Sequence, residues 1–298
     1  MRRREIRTNI TGYLFIAPWL VGLLIFTLVP TVWSLYLSFT DYNLFDTPKF
    51  IGIQNFRDMA SNATFWNSLK ITVKYALLSV PLHLFTALIA ALALNKSRPG
   101  VGIFRTIFYI PSFIGGAVGV AVMWRMIFSD SGFVNSVLVG LGFEKIKFFN
   151  SISNALYTLV GINTWVLGTA MLIFIAGMQQ VPQELYESAT IDGAGPVKKV
   201  LYITLPMISP MVLYNLILGI INAMQVFTSG YVITKGGPAK ATYFYVLYLY
   251  EEAFKYHNMG YASALAWVLF VLILLLTVLV LSVSKRMVYY EADGKRGA

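Results

Sequence analysis

Residues 265–284 have the sequence LAWVLFVLILLLTVLVLSVS, twenty consecutive residues without an Asp, Glu, Lys or Arg. At 1.5 Å per residue such a stretch forms a helix of about 30 Å, the thickness of the hydrocarbon core of a bilayer. The charge-free run that contains it extends from Tyr256 to Ser284, which is 29 residues. This segment therefore predicts a helix that crosses a membrane.

Five further charge-free runs lie upstream, and each has room for one spanning helix. They are Thr8–Thr40, Tyr75–Asn95, Thr106–Trp124, Phe148–Gln183 and Val200–Thr234. We place the six helices at about 13–38, 71–94, 104–127, 155–178, 207–232 and 261–284. The first run is too long for a cleaved signal peptide, so we expect it to remain as a membrane helix. The predicted fold class is all-α, a polytopic membrane protein with six transmembrane helices in one domain, 1–298, whose core helices occupy about 71–284.

The composition excludes several other classes of protein. Hydrophobic residues make up 57% of the chain and charged residues 12%, about half the charged fraction of a soluble domain. The mean hydropathy is +0.68. There is no cysteine, so neither disulfides nor thiolate chemistry are available to the chain. The predicted spans contain no Asp or Glu, which disfavours a carrier coupled to protons or sodium. No constellation suggests a catalytic or metal site, so we expect the chain not to be an enzyme.

Lys and Arg are about twice as dense on one side of the predicted spans as on the other. The denser side holds both termini, including Arg2-Arg3-Arg4, and the loops 95–103 and 179–206. Because membrane proteins collect Lys and Arg on their cytoplasmic face, we expect both termini to be cytoplasmic. The net charge of +10 then reflects membrane topology and not nucleic-acid binding.

Three features on the opposite, outer side carry further expectations. Lys70 and Lys74 are expected to extend their ammonium groups to the lipid headgroups. The segments 131–143 and 243–250 are too short to span a bilayer, and we predict interfacial helices there. In the second segment we expect Tyr and Phe at headgroup depth.

The longest predicted cytoplasmic loop, 179–206, carries signals for two short helices. Pro182 precedes the first, which has Glu184 and Glu187 in its first turns. Asp192-Gly193 predicts a turn, and Pro196 suits the start of a second helix that ends before Pro206. Two such helices at an angle would form a rigid knob below the membrane. We call residues 179–206 the knob. The alternative is an ordinary amphipathic linker.

The knob resembles the EAA loop of bacterial ABC importer permeases. Glu187-Ser188-Ala189, Gly193 and Ile203-x-Leu205-Pro206 have the family's spacing, with Ser188 in place of the middle Ala. Shorter matches to the carbohydrate branch follow in the family's order: Ala17-Pro18-Trp19, Ser38–Tyr42, Gly52–Phe56, Phe104-Arg105-Thr106 with Pro111, Gly132-Phe133-x-Asn135, and Thr234–Pro238 with Thr242. The chain is thus similar to maltose-type and glycerol-phosphate-type permeases.

This resemblance implies the type I ABC importer permease fold and a set of partners. A second homologous permease subunit would complete the pore, two cytoplasmic ATPase subunits would bind ATP and Mg, and an extracytoplasmic solute-binding protein would deliver a carbohydrate. The sequence has no Gly-x-x-x-x-Gly-Lys-Ser/Thr phosphate loop, so ATP hydrolysis is expected on a separate chain, with no cofactor in this one. The implied location is the bacterial inner membrane. Coupling to the ATPase would involve Glu187, Ser188, Ala189, Asp192, Gly193 and Ala194.

The alternative function is a six-helix secondary carrier or channel that acts without an ATPase.

Polar content marks the helices that would line a substrate path, because polar side chains facing lipid are unfavourable. The fourth span carries Asn163-Thr164-Trp165, and Asn215 and Asn222 share a face of the fifth. Resemblance to the maltose-type permease places family sugar contacts near Asn163, Val166, Gly168, Ala170, Gly219, Asn222, Ala223 and Val226. We expect the path to include Asn163, Trp165, Gly168, Gly219, Asn222, Gln225 and Tyr231. Interhelical hydrogen bonding is the alternative role for each polar member and for His83 in the second span.

Overall fold

The computed structural model describes residue 13 and residues 15–95, 99–114 and 118–284. The basic residues of both termini, together with Lys96 and Arg98, lie outside these residues, so the predicted orientation stays a prediction. Thirteen helices are numbered here in chain order. They are α1 (Phe15–Leu37), α2 (Gln54–Ser61), α3 (Ala63–Leu94), α4 (Val101–Ile114), α5 (Val118–Ile127), α6 (Phe133–Gly140), α7 (Ala155–Asn163), α8 (Gly168–Gln179), α9 (Gln183–Ile191), α10 (Pro196–Lys199), α11 (Ser209–Met224), α12 (Tyr245–Tyr250) and α13 (Met259–Ser284). Two short antiparallel strands, β1 (Thr40–Asp41) and β2 (Lys49–Phe50), lie between α1 and α2 and pair Thr40 with Phe50.

The long apolar helices agree with the predicted spans. Four segments of the described residues are long and apolar enough to cross a membrane: α1, α3, Ser209–Thr234 and α13. The pairs α4–α5 and α7–α8 raise the number to six if each pair is one span, with bends of 107° and 49°. Among the described residues, four of the predicted spans thus match one candidate span each, whereas the third and fourth are bent helix pairs where we expected single helices.

The helix α3 is longer than predicted at its N-terminus. It begins at Ala63, eight residues before the predicted start at 71, and continues through Asn67, Ser68 and Lys70. Hydropathy marks only the part of a helix that suits hydrocarbon, whereas the backbone hydrogen bonds continue for as long as the sequence allows. The polar N-terminal turns of α3 were missed for this reason.

Two compact units make up the chain, one of residues 1–62 with 249–271 and one of residues 63–248 with 272–298. In the first unit, the buried amide of Asn55 joins two of the short matched motifs. Its Nδ2 donates to the carbonyl oxygens of Ser38 and Thr40, each at 2.9 Å. Gly260, the second residue of α13, lies against the same segment. Its N–H donates to the Tyr42 carbonyl at 3.0 Å, and a Cβ there would overlap the Thr40 carbonyl.

In the second unit, α3 packs along α11 and α8 and also contacts α7, while α4 packs against α8. Ala87 and Ala91 lie four residues apart on α3 and are fully buried against Met171 and Phe174 of α8. Small residues at this spacing let two helix backbones approach closely. The core of the second unit is therefore built around α3.

Residues 243–250 do not place their aromatic side chains as we expected. The segment contains the helix α12, but Phe244, Tyr245 and Tyr248 are buried inside the protein and do not lie free at headgroup depth. The Tyr245 N–H donates to Thr72 Oγ1 of α3 at 2.9 Å, and the ring of Phe244 packs edge-on to Tyr75 at 5.1 Å. The aromatic residues were misplaced because their partners lie more than 160 residues earlier in the chain.

The other short segment behaves differently. Residues 131–143 contain the predicted helix, α6, and Asn135 fastens its start. The buried Asn135 amide donates to the carbonyls of Ser129 and Ile146 and accepts from the Ile146 N–H, at 2.9 to 3.1 Å. This motif residue therefore holds the loop that follows α6.

A π-helical turn precedes each of two prolines. One of these turns shows that the predicted end of the second knob helix, before Pro206, was wrong. After α10 the chain continues through the π turn Val200–Thr204 into a short helix, Leu205–Met207, so helical backbone passes Pro206. The π turn Leu24–Leu28 precedes Pro30 of α1 with the same spacing. Proline lacks an N–H and clashes with the carbonyl four residues back, and a widened turn relieves that clash.

Candidate functional site

The knob contains the two predicted short helices, α9 and α10. Pro182 stands at the N-cap of α9, with φ −57° and ψ 131°, and Glu184 occupies the first turn. At the other end the Ala194 N–H donates to the Ala189 carbonyl at 2.8 Å and the Gly193 N–H to the Thr190 carbonyl at 3.1 Å. These bonds satisfy carbonyls that the end of a helix leaves without partners.

Gly193 stands in the left-handed region, with φ +76°. The predicted turn conformation is thus confirmed. No atom lies within 4 Å of the position that a Cβ would occupy there, so a side chain would meet empty space. Glycine is required at this point by the backbone and not by packing, because other residues adopt this conformation at a higher energy.

Two hydrogen bonds join α9 to the segment that follows it, one to α10 and one to the π turn after α10. Lys199 Nζ donates to Thr190 Oγ1 at 2.7 Å, near the turn. The hydroxyls of Tyr186 and Thr204 lie 2.9 Å apart, near the base. Sequence reasoning missed these four residues, because the two bonds join side chains 9 and 18 residues apart. Together they fix the angle between α9 and the segment that follows it.

The base of the knob is anchored in the apolar core of the second unit. Val181 and Ile208 are buried in the same cluster as Ala91 and Leu94 of α3 and Met178 of α8, with Tyr186 and Ile203 packed against it. Arg105 fastens the same end of α3: its Nε and Nη2 both donate to the Leu94 carbonyl, at 3.0 and 2.7 Å. A cation at a helix C-terminus also complements the helix dipole.

The surface of the knob exposes apolar side chains. Ile191 is 88% exposed, Tyr202 77% and Val197 68%. Of the six predicted coupling residues, Glu187, Ser188, Asp192 and Gly193 are exposed, while Ala189 and Ala194 are half-buried in the turn between the helices. A rigid polar projection that carries exposed apolar side chains is typical of a surface that binds another protein.

The predicted path residues of the fourth span lie at the junction of α7 and α8. Asn163 ends α7, a 3₁₀ turn of Thr164–Val166 follows, and Gly168 begins α8. A Cβ on Gly168 would lie 2.6 Å from the Phe108 carbonyl oxygen of α4. The structure thus places Gly168 in a helix contact.

Trp165 belongs to an aromatic cluster that sequence reasoning missed. Its ring stands edge-on to Trp124 of α5 at 5.3 Å, and Phe128 and Phe148 extend the cluster with centroid distances of 5.6 and 5.0 Å. The Trp124 Nε1 is buried and has no hydrogen-bond partner among the described residues. Because Trp is enriched at membrane–water interfaces, no signal in the sequence separates Trp124 from an ordinary interfacial ring.

The polar residues and the glycine singled out in the fifth span fall into two groups. Asn215 is buried and donates to the Met211 carbonyl of its own helix at 3.0 Å. A Cβ on Gly219 would lie 3.0 Å from Val80 Cγ1, so this glycine lets α11 approach α3. Asn222 and Gln225, in contrast, are exposed in this chain. The face shared by Asn215 and Asn222 is therefore buried at one end and open at the other.

The fifth span is interrupted at Gln225, although we placed this residue within a continuous helix. The helix α11 ends at Met224 with Gln225 as its C-cap, and a π turn of Ser229–Thr234 follows. Tyr231, 45% exposed, stacks on Phe227 at 5.1 Å. Irregular backbone at membrane depth is tolerated where it is buried in protein or lines a cavity.

Comparison with known proteins gives consistent results. Residues 83–289 match the family described as binding-protein-dependent transport system inner membrane component. The probable ABC transporter permease protein YesP of Bacillus subtilis (strain 168) is 44% identical over 296 residues, covering 98% of this chain and 96% of that protein.

A second relative and a solved structure extend these results. The trehalose/maltose transport system permease protein MalF of Thermococcus litoralis is 34% identical over 280 residues, covering 92% and 93% of the two chains. A chain from the crystal structure of a bacterial alginate ABC transporter, in complex with an alginate pentasaccharide-bound periplasmic protein, has the same fold. The TM-score is 0.82 at 21% identity, over 95% of this chain and 96% of that chain.

Proposed function

The chain belongs to the family of binding-protein-dependent transport system inner membrane components, and from this premise we propose that it is a pore-forming permease subunit of an ATP-driven carbohydrate importer. The family is one of multi-pass membrane proteins that form the pore of ABC importers, and its members are not enzymes. The predicted type I permease fold is confirmed by the match to the permease chain of the alginate transporter. The substrate class, the partners and the orientation are what the proposal adds.

The knob is the single observation that carries the proposal of ATP coupling. A pore that acts alone needs no rigid projection with Ile191 88% exposed, since an unpartnered apolar side chain gains nothing from contact with water. We infer that Glu187, Ser188, Ala189, Asp192, Gly193 and Ala194 form the surface that docks on a cytoplasmic ATPase, which binds the ATP and Mg. The hydrogen bonds of Tyr186 and Lys199 then transmit force between the ATPase and the span that begins at Ser209.

Carbohydrate as the substrate rests on the relatives and on the composition of the fifth span. The similar protein of Thermococcus litoralis is named for trehalose and maltose, and the similar fold belongs to a transporter of alginate. Asn222 and Gln225 are exposed amides beside an interruption of the fifth span, where they could hydrogen-bond sugar hydroxyls. We propose that five of the predicted path residues line the path: Asn163, Trp165, Asn222, Gln225 and Tyr231.

The remaining partners follow from the family. We propose that a second permease subunit completes the pore, that an extracytoplasmic solute-binding protein delivers the substrate, and that the knob faces the cytoplasm of a bacterial cell. The positive-inside asymmetry supports this orientation, because Lys198 and Lys199 lie on the knob. The same orientation puts both termini in the cytoplasm.

Reconstitution in proteoliposomes tests the proposal. The chain, its partner permease, the ATPase and the binding protein should together take up radiolabelled oligosaccharide only when ATP is present on the knob side. The purified chain alone should hydrolyse no ATP. Uptake that continues without the ATPase subunits would contradict the proposal and favour a lone carrier or channel.

A further inference from the structure

A cavity of about 530 Å³ opens near the N-terminal end of α3, on the predicted outer side of the second unit. Its walls come from α3, from the start of α7 and from the loop that precedes α12. Three lysines line it: Lys70 and Lys74, one turn apart on α3, and Lys240 from the loop. A volume of about 300–1,000 Å³ is typical of small-ligand sites.

The positive charge of this cavity is not balanced by a carboxylate among the described residues of its walls. Among the described residues that line it there is no Asp or Glu, so its walls carry three positive charges. Like charges around one concave surface repel each other and raise the local potential, which favours an anion that enters. From their sequence positions we expected Lys70 and Lys74 to extend separately to lipid headgroups. The structure places both in the wall of one cavity with Lys240.

The protein holds two of the three lysines in place. Lys74 Nζ lies 5.3 Å from the centroid of the Tyr157 ring, and Lys240 Nζ donates to Thr64 Oγ1 at 3.3 Å. Ala239 and Lys240 both have positive φ, +47° and +61°, a conformation that is unusual for residues with a Cβ. Buried Thr242 fastens this loop: its hydroxyl donates to the Gly237 carbonyl at 2.7 Å, and its Oγ1 lies 2.7 Å from Thr234 Oγ1.

We propose that the cavity is an anion subsite on the predicted outer side and that it binds the carboxylate of an acidic saccharide. This inference rests on the proposed function, whose substrate class it narrows. Lys70, Lys74 and Lys240 supply charge for the carboxylate. Tyr157, 53% exposed, can contact a sugar with the part of its ring that Lys74 does not cover. Asn67 and Ser153, in the same walls, can hydrogen-bond hydroxyl groups.

A lipid phosphate has the same charge and could come from the surrounding bilayer. The saccharide is favoured because the cavity also contains the amide and hydroxyl groups of Asn67 and Ser153, which suit a polyhydroxylated ligand. The experiment distinguishes the two ligands by offering the acidic saccharide and the anionic lipid in separate measurements.

The test measures binding of digalacturonate to the full chain, purified with the subunits that accompany it and placed in phosphatidylcholine nanodiscs. Its dimethyl ester is the neutral probe of the same shape. We expect calorimetry to show at least about tenfold tighter binding of the acid at low salt, with the preference reduced at high salt. The double variant Lys70→Gln/Lys74→Gln should lose this preference, and Lys240→Gln should lose part of it.

The matched control is Lys145→Gln/Lys147→Gln, which removes two exposed lysines of the predicted outer side that do not line the cavity. The control should bind the acid like the unchanged chain. Equal binding of the acid and the ester by the unchanged chain, or an equal loss in the control, would overturn the inference.

Nanodiscs that contain phosphatidylglycerol supply the lipid arm. If native mass spectrometry shows that Lys70→Gln/Lys74→Gln loses bound phosphatidylglycerol while its affinity for digalacturonate is unchanged, the cavity is a lipid site and the inference is wrong. If the assembled transporter takes up a neutral oligosaccharide as well as an acidic one, the anion subsite is overturned but the proposed function stands. Absence of ATP-dependent uptake of every oligosaccharide would instead contradict the proposed function.

Discussion

The knob and the proposed substrate path differ in the distance along the chain between the residues that form them. The knob is built within residues 179–206, and its two bracing bonds, Thr190–Lys199 and Tyr186–Thr204, span 9 and 18 residues. The residues that we propose for the path lie on helices brought together from distant parts of the chain. Gly168, for example, meets Phe108 sixty residues earlier. A short segment can thus specify a docking surface, whereas a path through the membrane depends on the packing of several helices.

This difference has a consequence for mutations. In the knob a residue acts through its own backbone or its exposed side chain, so a substitution should affect coupling and leave the spans in place. At Gly168 and Gly219, which we predicted to lie along the path, an added side chain would change helix packing, because both glycines contact neighbouring helices. Separate measurements of assembly and of transport distinguish the two effects.

The largest effect is expected for Gly193→Val. A β-branched residue is strained at φ +76°, by about 1–2 kcal/mol, and would also project from the proposed docking surface. We expect the ATPase to be lost on co-purification and uptake to fall below detection, while the spans remain inserted. Gly195→Ser is the control, because φ there is −69° at an N-cap that serine favours. Normal uptake by the Gly193 variant would contradict the assignment of the knob.

The second effect is expected for Gly168→Ala. The added Cβ would lie 2.6 Å from backbone atoms of α4, and overpacking of this kind costs about 1–3 kcal/mol. Thermal unfolding should show this loss, and less complex should assemble. Gly161→Ala in α7, where a Cβ meets nothing within 4 Å, should leave the melting temperature unchanged or raise it. Equal stability of the two variants would show that α4 and α8 are not packed closely here.

Asn222→Leu should give a smaller and more selective effect. Asn222 is exposed in the chain, so its removal should leave assembly and binding-protein-stimulated ATP hydrolysis intact. If Asn222 lines the path, sugar uptake per assembled complex should fall severalfold. If it only joins helices, the change should weaken packing by about 0.6 kcal/mol and leave uptake unchanged. Radiolabelled uptake, normalised to the assembled complex, decides between the two roles.

The smallest effect is expected for Tyr186→Phe. It removes the hydroxyl that lies 2.9 Å from Thr204 Oγ1 and keeps the ring, so the loss should be about 1 kcal/mol. We expect the ATPase to remain bound but to be stimulated less by the binding protein. Tyr202→Phe, whose ring is 77% exposed, serves as the control for removing a tyrosine hydroxyl from the same surface. Equal stimulation in both variants would show that the brace does not transmit force.

The sequence was sufficient for the features that depend on local chemistry. The charge-free runs predicted the spans, because the bilayer imposes length and apolarity on each helix separately. Pro182, Asp192-Gly193 and Pro196 predicted the two knob helices and the left-handed turn, since each signal acts within one or two residues. The continuation past Pro206 was missed, because a π turn leaves no distinctive mark in the sequence.

Only the tertiary structure decided which side chains meet. It buried Phe244 and Tyr245 against α3, placed Gly168 and Gly219 in helix contacts, and interrupted the fifth span at Gln225. It also brought Lys240 to Lys70 and Lys74 around one cavity, although 166 residues separate Lys74 from Lys240. Hydropathy measures how well each residue suits lipid or water. It does not record which helix faces which, because that depends on the fit between surfaces that only the folded chain presents to each other.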